Sequence, residues 1–324
     1  MYSVYGLKLA SSLPFPYLLE APAAAGNAPD LLLRVQAEDS HSLPEEDEPG
    51  VLLWRYEAAG RALLSVYERQ GSTLFRYHGR AAYFIDPALS EVSSLPRPGL
   101  DEEVIRFFFL GLVTAFILHR RGCHNLHAAA VEVDGGAVAF LAPAGGGKST
   151  MAASFVAAGH ALLSDDVLPL QVREDGVWVL PGPALLRLWP DSAARVWDDP
   201  ATLRRHALQT PKRQVWLPMT ERFYCGKPLP LRAVYLLERA EESIVRLEPL
   251  SQREALLALI SSAFGNFLLR GELLSRQMDF FAQIVPTLPF RRLPVPAAFK
   301  GLATLYDAVL EDVATTGYRR DGNP

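Results

Sequence analysis

The run Leu141-Ala142-Pro143-Ala144-Gly145-Gly146-Gly147-Lys148-Ser149-Thr150 places glycines, a lysine and two hydroxyls in immediate succession. That combination can hold a nucleoside triphosphate. Glycines let successive backbone N–H groups converge on phosphate oxygens, and the N-terminus of a following helix adds positive potential. Lys148 has the charge and reach for the β- and γ-phosphates, and the Ser149 hydroxyl is a ligand for Mg²⁺. Ala144, Gly145, Gly146, Gly147, Lys148, Ser149 and Thr150 are therefore the candidate nucleotide-binding residues, with ATP and Mg²⁺ as the expected cofactors. The usual first glycine of such a loop is Ala142 here. That position mainly shapes the turn, so a slightly altered loop with retained binding is expected.

A second constellation follows, where Ala161-Leu162-Leu163-Ser164 ends in two adjacent carboxylates, Asp165 and Asp166. A kinase needs one carboxylate for Mg²⁺ or its water shell, and a base that orients and deprotonates the acceptor hydroxyl. Adjacent strand residues face opposite ways, but at a strand terminus the backbone can turn both inward. The plainer alternative makes one aspartate functional and gives the other a turn-capping role. His127 stands on an apolar strand, where a lone histidine is ordinarily a satisfied core residue. The hairpin after it would bring it near the aspartates, which favours a functional role. The basic segment from Arg204-Arg205-His206 to Lys212-Arg213-Gln214 has two readings. It caps the site and neutralises phosphate charge, through Lys212 and Arg213, or it is a solvated loop.

Patterning indicates the elements that must position these groups. Ala137 to Leu141 is an apolar strand, and Met151 to Ala158 is a helix-favouring run closed by Gly159. Strand, glycine loop, Gly-Lys-Ser and helix is the context a phosphate-binding loop requires. Asn125 to Val133 reads as the preceding strand, joined through the hairpin signal Asp134-Gly135-Gly136. Val177–Leu180, Ala184–Leu188, Leu231–Leu237 and Ile244–Leu247 are further strands. Asp191 is expected to cap a short helix to Val196, and Arg204 to Lys227 reads as irregular. Ser251-Gln252-Arg253-Glu254 opens a helix with a capping-box pattern; Glu272–Ile284 and Leu302–Val313 are helical as well.

Residues 1–98 read as a small, mostly β N-terminal domain, an antiparallel sheet whose runs are punctuated by Gly60, Gly71 and Gly79. Glu38 to Gly50 is an acidic surface loop, and the tail from Tyr318 is loose. Pro96-Arg97-Pro98-Gly99 marks the boundary, and residues 99–324 form an α/β domain expected to fold without the first. That domain opens with a helix whose start is acidic (Asp101-Glu102-Glu103) and whose end is basic (His119-Arg120-Arg121), the polarity a helix dipole favours.

Composition sets outer bounds. A chain of 324 residues, about half apolar, can bury a sizeable core. A net charge of −4 argues against nucleic-acid binding. The two cysteines, Cys123 and Cys225, lack metal-ligand spacing and are expected to be reduced thiols of a cytoplasmic protein. The first residues carry no basic region followed by a long apolar core, so no signal peptide is expected. Val104–Leu118 is shorter than a membrane span and contains Arg106, so a buried helix and no membrane partner are expected. A homo-oligomer stays open.

Leu126-His127-Ala128, the glycine loop, Ala157-Ala158-Gly159-His160 and Leu163-Ser164-Asp165-Asp166, in that order, resemble the catalytic core of the HPr kinase/phosphorylase family. That family shares its P-loop kinase fold with ATP-type phosphoenolpyruvate carboxykinases. The resemblance covers roughly residues 120 to 250 and implies that Asp166 is the base toward a serine hydroxyl, that Asp165 helps hold Mg²⁺, and that His127 tunes or positions Asp166. It also implies a catalytic role for Arg187, in Leu185-Leu186-Arg187-Leu188; Leu185 stands where the family has a metal-binding glutamate, which leaves a second metal and the phosphorylase reaction open. The N-terminal domain is more similar to stand-alone relatives encoded beside ribosomally made peptides, including lasso peptides, where the acceptor is the C-terminal serine of the precursor. The resemblance thus implies an ATP-dependent serine kinase acting on a peptide or small protein. The competing reading is a nucleotide-binding regulatory module without phosphotransfer.

Overall fold

The computed structural model describes residues 1–21, 28–36, 50–196, 203–205, 208, 210–240, 246–296 and 301–316. Most of the expected acidic loop, the strand residues 244 and 245, and the tail from 318 lie outside them.

The N-terminal strands are β1 (Tyr2–Val4), β2 (Leu7–Ser11), β3 (Leu19–Glu20), β4 (Leu31–Val35), β5 (Val51–Ala58), β6 (Arg61–Arg69), β7 (Ser72–Tyr77), β8 (Ala81–Ile85) and β9 (Glu91–Pro96). They form one sheet in the order β3-β1-β2-β4-β9-β8-β7-β6-β5. Hairpins join β5 to β8, as the glycine punctuation predicts. The sheet is mixed rather than antiparallel, since β4 runs parallel to both β2 and β9. The connections into and out of β4 are long enough to return the chain to the same end of the sheet.

The apolar segment after this sheet is helical, as expected. Helix α1 (Glu102–Phe108) is capped by Asp101, whose carboxylate accepts from the Glu103 N–H at 2.7 Å. A single π-turn (Phe109–Val113) leads into α2 (Thr114–Arg120), and Gly111 inside it leaves helical geometry at ψ −115°. This helix packs on the first sheet. Phe116 meets Phe75 edge-on at 5.6 Å, Phe108 stacks on Tyr77 at 3.7 Å, and one buried cluster contains all four. The core therefore runs across the expected boundary at Pro96–Gly99.

The second sheet carries the sequence motifs. Its strands are β10 (His124–Leu126), β11 (Ala128–Val133), β12 (Gly136–Leu141), β13 (Leu162–Asp165), β14 (Leu168–Arg173) and β15 (Gly176–Val179), with a later long strand described below. Helix α3 (Lys148–Ala157) follows the glycine loop. Next come β16 (Leu185–Leu188) and α4 (Pro190–Val196). Proline opens α4, so Asp191 lies in its first turn and not at the cap position as expected. The supposedly irregular basic segment contains β17 (Arg204–Arg205) and β18 (Arg213–Trp216), which build a small ladder onto β16. Strands β19 (Leu229–Ala240) and β20 (Glu248–Pro249), helices α5 (Gln252–Ser262) and α6 (Gly271–Ile284), strand β21 (Phe290–Pro296) and helix α7 (Leu302–Thr315) complete the fold. The capping box at Ser251 and Glu254 is formed. Strand β21 is not legible in the sequence, because Pro294 and Pro296 obscure it; it pairs with β19 in parallel.

The second sheet runs β10-β14-β15-β19-β12-β11-β13, with β21 beside β19. Both of its faces are buried. Ala129, Val131 and Phe140 pack with Phe155 of α3 and with Leu305 and Val309 of α7. The alternate residues Ala128, Ala130 and Ala139 pack on the other face with Leu259 of α5 and Phe281 of α6. Period-two alternation with both faces covered explains the near-continuous apolar runs of β11 and β12.

Candidate active site

Strand pairing gathers the motifs at one end of the second sheet. β11 lies between β12 and β13 and is antiparallel to both. Its first residues therefore sit beside the last residues of its neighbours: Ala128 opposite Leu141, and Ala129 opposite Asp165. His127, the glycine loop and the aspartates converge there. The approach of His127 to the aspartates comes from the β11–β13 pairing and not from the hairpin.

The loop enters α3 through Gly147, whose φ of 103° is left-handed and suits glycine. Among the described residues no side chain caps this helix, so its first N–H groups lack a side-chain acceptor. A Cβ on Gly146 would lie 2.6 Å from the Cβ of Ala142. The alanine in place of the usual first glycine is thus accommodated against a position that has no side chain. Lys148 donates to the carbonyls of Ala142 and Pro143 at 2.8 and 3.3 Å.

The Ser149 hydroxyl donates to Asp165 at 2.9 Å, and the Arg187 backbone N–H donates to the other oxygen of the same carboxylate at 3.2 Å. Asp166 follows with φ 82°, a left-handed conformation that a residue with a side chain rarely takes. That turn sends its carboxylate elsewhere, to Arg187 Nη1 at 3.0 Å and His127 Nδ1 at 3.3 Å. Nδ1 also lies 3.0 Å from the Asp166 carbonyl, so with a proton there it donates toward both oxygens.

The two carboxylates titrate apart. Burial pushes Asp165 above the usual aspartate range, and the neighbouring Asp166 charge adds to this; Ser149 and Arg187 oppose it. Burial also works to raise Asp166, but the His127 hydrogen bond and the Arg187 charge outweigh it and hold the carboxyl below the usual range. Burial lowers Lys148, and the two aspartates counter that effect. The Ser149 hydroxyl beside the Asp165 carboxylate is an all-oxygen pair, which fits Mg²⁺ completed by phosphate oxygens and water. Among the described residues no group of three or more His, Cys, Asp or Glu could hold a metal without such help.

A cleft of about 290 Å³ opens over these groups. Gly145, Gly147, Lys148, Ser149, Thr150, His127, Asp166 and Arg187 line it; Ala144, Gly146 and the buried Asp165 do not. Of the basic segment, Lys212 lines the cleft, with its ammonium 5.9 Å from the Trp189 ring. Arg213 does not line it, and Arg204 lies over Trp216 at 4.0 Å. His206 is outside the described residues. Sequence reasoning missed Trp189, Ser192 and Arg239 and assigned Asp191 only to a cap; all four line the cleft. Thr150 donates to Ser192 at 2.9 Å, which ties α4 to the loop. Trp189 immediately before a short helix was the available signal. Leu185 is buried in the core that α1 and α2 share with the first sheet.

No family model matches the chain, and no curated protein matches it. Among solved structures it is similar to the Hpr(Ser) kinase/phosphatase from Coxiella burnetii, with 13% identity over 60% of this chain and 99% of that chain and a TM-score of 0.34. Among the described residues, no helix is long and apolar enough to cross a membrane.

Proposed function

We propose that this protein is an ATP-dependent kinase that transfers the γ-phosphate to a serine hydroxyl of a peptide or small protein. The observation that carries the reading is the convergence of Lys148, Ser149 and Asp166 on one cleft, with Asp165 bonded to Ser149 behind it. Lys148 and the helix N-terminus hold the β- and γ-phosphates. Ser149 and Asp165 hold Mg²⁺, which when bound neutralises phosphate charge. Arg187 and Lys212 add positive charge where negative charge develops during transfer. Asp166 orients the acceptor hydroxyl and accepts its proton; His127 fixes the orientation of that carboxylate. The serine oxygen bonds to the γ-phosphorus, the bond to the leaving ADP oxygen breaks, and the hydroxyl proton goes to Asp166. The motif resemblance extends the acceptor to the C-terminal serine of a ribosomally made peptide precursor such as a lasso peptide.

The engagement of both Asp166 carboxylate oxygens, by His127 at 3.3 Å and Arg187 at 3.0 Å, favours the second reading, a nucleotide-binding regulatory module, because a carboxylate held in this way is a weaker proton acceptor. Radiolabelled ATP with peptides ending in serine separates the two. Labelled peptide supports the kinase, while ATP binding with no label on any peptide offered supports the module.

A further inference from the structure

The phosphate cleft has a neighbour. An apolar pocket of about 510 Å³ lies beside it, and Asp166 and Arg187 belong to the walls of both. Much of its wall comes from three distant stretches: Trp54 and Tyr56 of β5, the π-turn region between Phe107 and Leu112, and Phe264 with Phe267. The Trp54 and Phe267 rings lie 4.0 Å apart, and the Arg187 guanidinium lies 5.1 Å from the Phe107 ring. Gly111 breaks the helix where it faces the pocket, and a Cβ there would meet nothing within 4 Å. π-turns of this type recur at functional sites.

The charged groups at the boundary are already paired with each other, Arg187 to Asp166 at 3.0 Å. The Arg187 Nε is buried and has no hydrogen-bond partner among the described residues. The remaining wall mixes aromatic rings with aliphatic groups such as Leu110 and Val167, and the rings outnumber the aliphatic groups, which favours an aromatic guest. A volume of this size is in the range of ligand sites and takes a large side chain with its backbone.

We propose that this pocket receives a bulky apolar side chain, aromatic by preference, from the residue next to the acceptor serine of a peptide substrate. The inference rests on the kinase reading for the word acceptor. The occupant is a peptide because the hydroxyl must reach Asp166 while its neighbour fills the pocket, and adjacent residues of one chain meet both demands.

The test uses the full chain and two pentapeptides, Ala-Ala-Gly-Phe-Ser and Ala-Ala-Gly-Gly-Ser, titrated by calorimetry with ADP and Mg²⁺ present. The phenylalanine peptide is expected to bind on the order of tenfold or more tightly, from burial of its ring. Trp54→Ala should collapse that ratio. Leu112→Trp, which adds bulk to the wall instead of removing it, should collapse it too and guards against a loosened fold in the first variant. Equal affinity for the two peptides overturns the inference, and so does a ratio that survives both variants. Self-association in sedimentation that the phenylalanine peptide disperses, and that Trp54→Ala abolishes, would place a second copy in the pocket and also overturn it. Phosphate transfer is measured separately: selective binding without transfer removes the kinase reading and leaves the pocket's preference standing.

Discussion

Arg187 bridges the two adjacent aspartates, its guanidinium meeting the Asp166 carboxylate at 3.0 Å and its backbone N–H meeting the Asp165 carboxylate at 3.2 Å. One residue on β16 thus holds both carboxylates in different surroundings. Among the described residues Asp165 is buried without a cationic side-chain partner at hydrogen-bond distance, and Asp166 is ion-paired.

Opposite effects on stability follow from that difference. Asp165→Asn keeps an acceptor for the Arg187 N–H and removes a buried charge. Without metal it should raise Tm by about 2 °C while weakening Mg²⁺-dependent ATP binding. Asp166→Asn loses its ion pair and should lower Tm by roughly 3–6 °C. Phosphoryl transfer should fall by about a hundredfold to ten-thousandfold in Asp166→Asn with ATP binding retained. Thermal melts, ATP calorimetry and transfer assays on both variants check this, and full transfer in Asp166→Asn removes it as base.

The same pair sets a pH response. The folded-state pKa of Asp165 is raised above the ordinary 3.8, so its ionised form opposes folding, and this penalty is relieved as pH falls through the folded value. The folded pKa of Asp166 is lowered, so its stabilising contribution is present above 3.8 and is lost as pH falls toward the folded value. On acidification Asp165 protonates first. Mg²⁺-dependent ATP affinity should therefore decline at a pH where Asp166 is still ionised and metal-free stability has not yet dropped. Calorimetry and melts over the same pH series test the order of the two losses.

Lys148→Ala removes the charge proposed to meet the phosphates and now bonded to the Ala142 and Pro143 carbonyls. ATP affinity should fall by about tenfold to a hundredfold, the worth of a hydrogen bond to a charged group. Unchanged calorimetric binding would exclude the glycine loop as the nucleotide site.

Ala142 and Gly146 should be energetically coupled. Gly146→Ala brings two Cβ atoms to 2.6 Å and should cost about 1–3 kcal/mol by overpacking. Ala142→Gly relieves that contact but leaves the Pro143 carbonyl at 3.0 Å, so the double variant should recover part of that loss. Chemical denaturation of the four proteins in the cycle measures the coupling.

A chain cut at residue 99 would leave Phe108 and Phe116 without Tyr77 and Phe75, their partners on the first sheet. Such a truncated chain should be insoluble or fail to melt cooperatively, where a folded and soluble product would show that the second part stands alone.

Sequence by itself determined the local devices. The glycine loop with its lysine and serine, the Asp101 cap, the Ser251–Glu254 capping box and the Asp134-Gly135 hairpin are written in neighbouring residues, because turn geometry and helix ends depend on local backbone and side-chain chemistry. Two adjacent carboxylates at a strand end were equally visible, and the resemblance implied a role for each, but the difference in their surroundings was not legible. It depends on the left-handed turn at Asp166 and on Arg187, twenty-one positions away in the chain. Tertiary structure also decided that His127 reaches Asp166, through the antiparallel pairing of β11 with β13, and that Lys212 lines the cleft while Arg204 packs on Trp216. The aromatic pocket is the extreme case, since Trp54, Phe107 and Phe264 become neighbours only when the first sheet, the broken helix and the turn after α5 close on one another. Contacts of that kind are fixed by which strands pair and which faces are buried, and spacing along the chain carries no record of them.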